Sequence, residues 1–178
     1  MLLPALLLSL VAAVLLGGLI YQHTVTNRLH RCEWNDLLGQ LASVPRAPVS
    51  QVAEEYLNPQ PNQLGTEPTD IWAALGGLEG MRRMRKNARV LIALAAYAER
   101  WNYIEGVIVA ERMRHDALQL RRATFQITMR AALGTGSLRV PFYMHEAAGA
   151  YHLMTQRLLA LYQTSHIGLY PRLAEALN

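Results

Sequence analysis

LLPALLLSLVAAVLLGGLIY, residues 2–21, sets how the rest of this chain is interpreted, because it contains no charged residue. About 20 apolar residues in a helix cross the hydrocarbon core of a bilayer, and a backbone in hydrocarbon must satisfy its own hydrogen bonds. The stretch therefore predicts one transmembrane helix surrounded by membrane lipid. A cleaved signal peptide is the alternative, but it needs a positive charge before a shorter apolar core, and neither is found here.

The charges beside this segment predict its orientation. Arg28 and Arg31 follow it closely, and no Lys or Arg precedes it. Lys and Arg favour the cytoplasmic side of a membrane. We therefore expect a single-pass protein of the cell membrane, with its N-terminus outside and its C-terminal domain in the cytoplasm.

Composition limits what the remaining chain can be. Of 178 residues, those after the apolar segment suffice for one domain. Cys32 is the single cysteine, which excludes an intrachain disulfide and a Cys-x-x-Cys zinc site. A lone cysteine near a membrane is either palmitoylated or an ordinary thiol, and both interpretations stay open.

The rest of the chain shows helical periodicity and no strand-like alternation of useful length. The predicted fold is all-α: one N-terminal transmembrane helix, a Pro-rich linker, and an antiparallel bundle of three long helices. The domains are an anchor (1–23), a juxtamembrane helix (24–42), the linker with one short helix (43–68), and the helical bundle (69–178).

Caps and breakers predict the bounds of the bundle helices. The three long helices are predicted at Thr69–Asn102, Ile104–Leu133 and Phe142–Ser165, followed by a short one at Arg172–Leu177. The second long helix has two apolar stripes, one with Val107, Leu118, Phe125 and Met129, the other with Val109, Met113, Leu120 and Ile127. A helix that is apolar on two sides contacts two neighbours, so we expect it at the centre.

Three polar residues interrupt the apolar surface of that helix: Glu111, His115 and Arg122. Buried ionisable groups are costly unless they are paired, and Glu111 can hydrogen-bond His115 one turn later. The row predicts a buried polar network. Its two interpretations are a structural tie between helices and the site of an enzyme that acts on a membrane-associated substrate.

Histidines suggest a second, weaker candidate site. His145 and His152 lie seven residues apart on the last long helix, about 10 Å along the axis, which is too far to chelate one metal ion. Together with His115 they could ligate haem between two helices. A haem- or metal-binding bundle for electron transfer is therefore an alternative, although no cofactor and no metal is predicted.

A basic cluster marks the outer face of the first long helix, at Arg82, Arg85, Lys86 and Arg89. Such a cluster beside a membrane attracts anionic lipid or a partner, or is simply solvated and paired with Glu79. Nucleic acid is not expected, because the interleaved aromatics of single-strand binders and the recognised binding motifs are both missing from the sequence.

No common catalytic motif occurs in the sequence: there is no phosphate-binding loop, nucleophile elbow or zinc-protease His-Glu-x-x-His. The predicted function is therefore a membrane-anchored cytoplasmic helical interaction module, a scaffold or an accessory subunit of a membrane complex. Two features favour it: the stretch Val90–Ala98, apolar almost all round, and the two-sided second helix. The expected partner is another protein or a second copy in a homo-oligomer.

Overall fold

A computed structural model describes residues 32–59, 66–133 and 140–178. Every regular element within these ranges is a helix, which confirms the all-α prediction. The segment predicted to cross the membrane, residues 2–21, lies outside them. None of the helices inside them has the length and apolarity needed to cross a membrane.

Three long helices form the bundle, and shorter helices pack on it. The middle and last long helices run antiparallel, because Asp116 lies beside Arg157 and Glu105 beside Thr164. The first and last run parallel, because Asn87 contacts Tyr151 and Leu94 contacts Tyr162. In chain order the helices of the described ranges are α1 (Trp34–Gly39), α2 (Arg46–Leu57), α3 (Pro68–Ala74), α4 (Gly77–Ala98), α5 (Tyr103–Ala132), α6 (Val140–Ser165) and α7 (Tyr170–Ala176).

The prediction of one continuous helix over Thr69–Asn102 is wrong at its N-terminal end. Gly76 and Gly77 have φ values of 71° and 61°, a left-handed conformation that glycine adopts at little cost. The chain turns so tightly there that a Cβ on Gly80 would lie 1.7 Å from the carbonyl oxygen of Leu75. The glycines therefore separate α3 from α4.

The central helix is α6, so the prediction that the second long helix is central is wrong. α6 contacts α2, α3, α4, α5 and α7. A Cβ on Gly149 would lie 2.8 Å from the Tyr56 ring, so small residues on the second side of α6 admit α2. The helical period of Phe142–Ser165 predicts one core stripe, and every residue of it is buried: Met144, Ala147, Tyr151, Met154, Leu158, Leu161 and Tyr162.

The segment before the bundle is part of the same core. α2 begins at Arg46 and packs along α6. The Trp34 indole N–H donates to the Tyr162 hydroxyl at 3.1 Å, and that hydroxyl donates to the carbonyl oxygen of Leu94 at 2.9 Å. The buried residues contributed by this segment are Trp34, Leu37, Val44, Val49, Val52 and Ala53.

Candidate interaction surface

The two faces of α5 differ sharply in burial. Its inner face packs against α4 and α6 through eight buried residues: Gly106, Ala110, Met113, Asp116, Leu120, Ala123, Thr124 and Ile127. Among the exposed residues of its other side, eight follow one another at alternating spacings of four and three, and they are here called the outer row: Ile104, Ile108, Glu111, His115, Leu118, Arg122, Phe125 and Met129.

The outer row is unusual because most of it is apolar. Its five large apolar side chains are between 42% and 72% exposed. Alternating four- and three-residue steps keep side chains on one face of a helix over many turns. α5 therefore presents a continuous, largely apolar surface that the described residues leave uncovered.

The predicted buried network of Glu111, His115 and Arg122 is wrong, because all three lie in this exposed row. The Glu111 side chain is 72% exposed, and its carboxylate accepts from Arg114 at 2.6 Å. Small and apolar residues occupy most of the inner face of α5. Glu111, His115 and Arg122 therefore lie on the exposed side, together with Leu118 and Phe125.

The buried acidic group of α5 is instead Asp116, which pairs with the half-buried Arg157 of α6. Asp116 is only 4% exposed, and a buried charge is costly unless it is paired. Arg157 supplies the opposite charge. Sequence analysis missed this pair. Its signal was the position of Asp116, three residues after Met113 and four before Leu120 on the inner stripe.

Asn87 is a second buried polar group that sequence analysis missed. Its side-chain amide donates to the carbonyl oxygen of Ala42 at 2.7 Å and to the Tyr151 hydroxyl at 3.0 Å, and its amide oxygen accepts from the Ala42 N–H at 2.8 Å. Burial raises the pKa of Tyr151, and the Asn87 hydrogen bond opposes the shift in part. The amide therefore ties the segment after α1 to both α4 and α6.

A cleft of about 340 Å³ opens beside this amide, between the end of α1 and the C-terminal residues. Asn87 and Tyr151 line it, but their polar atoms bond to each other and to Ala42. The side chains of Asn87 and Tyr151 are thus already used for structure.

The three candidate histidines are not brought together. His145 donates through Nδ1 to the carbonyl oxygen of Val52 at 3.1 Å, and its Nε2 lies 4.0 Å from Glu55. His152 contacts Gln156 at 2.7 Å on the same helix, whereas His115 lies in the outer row of α5. No group of three or more His, Cys, Asp or Glu side chains within the described ranges is arranged to hold a metal ion.

Burial is the main cause that lowers the pKa of His152; Glu54 of α2 opposes it and Arg46 reinforces it. Both charges come from the helix packed against this side of α6. His152 and His145 thus lie at the α2–α6 contact, whereas sequence analysis had considered them as possible ligands.

In the predicted basic cluster Arg82, Arg85 and Lys86 are exposed and Arg89 is half-buried, and the cluster extends beyond α4. Arg82 lies 3.8 Å from Glu79, on the preceding turn. Burial lowers the pKa of Arg121 of α5, and the charges of Arg89 and Arg85 lower it further. Within the described ranges no carboxylate forms an ion pair with Arg85 or Arg89. Positive charge from two helices therefore accumulates on one patch.

The chain matches no protein-family model, no curated protein and no solved structure. The outer row and the basic patch are therefore the features from which a function can be inferred.

Proposed function

We propose that this chain is a membrane-anchored helical interaction module, a scaffold or accessory subunit whose binding surface is the outer row of α5. The observation that carries the proposal is the exposure of five large apolar side chains along one helix face. A group of exposed large apolar side chains accompanied by polar residues marks a site of association. The stretch Val90–Ala98, which suggested a partner from sequence, is enclosed within the fold and adds no support.

The membrane part of the proposal rests on residues 2–21 and on the basic cluster. The ten residues 22–31 between that segment and the described domain can extend over about 35 Å at most. A domain held so close to a bilayer gains from positive surface charge, because anionic headgroups attract Lys and Arg. Arg82, Arg85, Lys86 and Arg89, joined by Arg121, supply that charge.

The arrangement of the residues does not support the two alternatives, a haem- or metal-binding bundle and an enzyme with a buried Glu/His site. Haem ligation between helices needs opposed histidines, but His145 faces α2 and His115 faces outward from α5. A general acid or base depends on a perturbed, enclosed group, but Glu111 is exposed and bound to Arg114.

Crosslinking of the full chain in native membranes tests the binding surface. We expect the wild-type chain to give discrete crosslinked species, and the double substitution Leu118→Gln with Phe125→Gln to lose them. Gln119→Ala is the matched control, since it changes an exposed residue of the same helix outside the outer row. If the double variant retains every crosslinked species, the outer row is not the binding surface.

Orientation is tested separately with protease added outside intact cells. We expect the domain to be protected, because Arg28 and Arg31 favour the cytoplasmic side. Cleavage between Arg82 and Arg130 from outside would reverse the proposed topology and remove the argument for lipid contact at the cytoplasmic leaflet.

A further inference from the structure

We infer that the outer row of α5 binds the outer row of a second copy of this chain, with the two helices antiparallel about a two-fold axis between His115 and Leu118. The inference rests on the proposed function, because it names the partner of that surface. Four observations carry it: the spacing of the row, the chemistry of the facing pairs, the charges, and the length of the helix.

The spacing of the outer row alone allows only a small set of registers between two antiparallel copies of α5. The row advances from Ile104 by steps of four, three, four, three, four, three and four residues, a sequence that is identical when read backwards from Met129. Two antiparallel copies therefore match step for step when Ile104 faces Met129. A shift of three or four residues sets four-residue steps against three-residue steps, and the rows diverge.

In that register every facing pair is chemically compatible. Ile104 faces Met129, Ile108 faces Phe125, Glu111 faces Arg122, and His115 faces Leu118. The two-fold axis repeats each pair, because in an isologous interface residue i contacts j and j contacts i. The row thus forms apolar layers at both ends and places its acid opposite its base.

Registers displaced by one heptad also match the steps but lose this compatibility. In one direction Arg122 faces Ile104, and in the other it faces Leu118. Each sets a charged group against an apolar side chain and shortens the overlap. The Ile104–Met129 register is therefore preferred over its neighbours.

Charge also selects the antiparallel direction. In a parallel pair Glu111 would face Glu111 and Arg122 would face Arg122, and facing like charges disfavour an arrangement. In the antiparallel pair the Glu111 carboxylate, which already accepts from Arg114, gains Arg122 of the second copy. The charges of the row are thus complementary to themselves only when one helix is reversed.

The helix is long enough for such pairing. The overlap runs over residues 104–129 of a 30-residue helix, which is about 39 Å at 1.5 Å per residue. Coiled-coil pairing is sustained by about three to four heptads. All eight members of the outer row are exposed and available for the contact.

Disulfide trapping of the full chain in native membranes tests the register. Cys32 is first replaced by Ser, so that introduced cysteines are the only thiols. Two differently tagged chains, one with Ile108→Cys and the other with Phe125→Cys, are expressed together and oxidised. We expect a disulfide that joins the two tags, because facing residues bring their Cα atoms within the distance that a disulfide requires.

The matched control pairs Ile108→Cys with Leu118→Cys, both in the outer row but about 10 Å out of register. We expect this pair, and Ile108→Cys alone, to lose the disulfide. A link of Ile108→Cys to itself would mean a parallel pair and would overturn the inference. The absence of a link between Ile108→Cys and Phe125→Cys would overturn it as well.

A charge exchange tests the same register without thiol chemistry. We expect Glu111→Arg or Arg122→Glu to weaken self-association roughly tenfold, since each sets like charges face to face. The double exchange restores the opposite pairing and should restore association. Failure of the double variant to recover would contradict the Glu111–Arg122 contact.

The two proposals fail in different ways. If disulfide trapping fails while Leu118→Gln with Phe125→Gln still abolishes crosslinked species, the surface binds a different protein and only the present inference is wrong. If trapping fails and that double variant changes nothing, the proposed function is wrong too.

Discussion

α5 and α6 are neighbouring helices of 30 and 26 residues, and both are rich in apolar side chains. The described residues nevertheless pack on two sides of α6 and on only one side of α5. α6 has small residues on its second side, Ala147 to Ala150, and α2 packs there. α5 instead carries Leu118, Phe125 and Met129 on its second side, and the described residues do not cover them. Small side chains admit a neighbour of the same chain, whereas the row of large ones stays exposed among the described residues.

The largest expected difference between the two helices is in the free energy of unfolding lost when a Leu is replaced by Ala in each of them. Leu158→Ala in α6 removes a side chain with 0% exposure and should lower the free energy of unfolding by about 2–5 kcal/mol through lost burial and the cavity left behind. Leu118→Ala in α5 removes a side chain that is 60% exposed. This substitution should change the free energy of unfolding of the monomer by no more than about 0.5 kcal/mol.

Thermal unfolding of the full chain in detergent, followed by circular dichroism at low protein concentration, measures both variants. A large loss for Leu118→Ala under these conditions would show that the outer row is covered within the monomer. That result would remove the contrast between the two helices.

The ion pair between the two helices gives the next effect. Arg157→Met leaves Asp116 buried without its cation and should lower the free energy of unfolding by roughly 2–3 kcal/mol. The control Arg114→Met breaks an exposed pair with Glu111, and exposed pairs are worth about 0–1 kcal/mol. Equal losses from the two variants would contradict the burial of Asp116.

The contrast between α5 and α6 also shows what the sequence could predict. The core stripe of α6, from Met144 to Tyr162, was predicted correctly because the helical period identifies which residues share a face. The same period showed that α5 has two apolar sides, but it does not say what covers each side. The assignment of α5 to the centre therefore failed, and with it the burial of Glu111, His115 and Arg122.

Other differences have local physical causes. The apolar pattern runs through Leu75–Gly77 without interruption, so the turn there depends on two left-handed glycines that periodicity does not detect. Asn87 and Asp116 are single polar residues on inner faces, and their partners Ala42 and Arg157 are far away in sequence. Such pairs are defined only once the helices are placed in space.

A smaller effect is expected on the side of α6 that faces α1. Trp34→Phe keeps an aromatic ring in the core but removes the indole N–H that donates to Tyr162. Net hydrogen bonds contribute about 1 kcal/mol, and the Tyr162 hydroxyl still donates to Leu94. We expect a loss of at least that size by thermal unfolding, because the smaller ring also leaves unfilled space in the core. We expect less from Trp101→Phe, whose ring is substantially exposed. Equal losses would mean that the indole hydrogen bond contributes little.

The smallest effect is a pH dependence at the contact of α6 with α2. The pKa of His152 lies below its ordinary value of 6.5 in the folded chain, chiefly because of burial. As the pH falls below 6.5, the unfolded chain takes up a proton at His152 more readily than the folded chain does. The free energy of unfolding therefore declines. The contribution is fully present above about pH 6.5 and is lost progressively below it. His152→Gln should flatten the dependence of the free energy of unfolding on pH between about 7 and 5. A variant that keeps the wild-type slope would place the titrating group elsewhere and leave the α2–α6 contact insensitive to protonation.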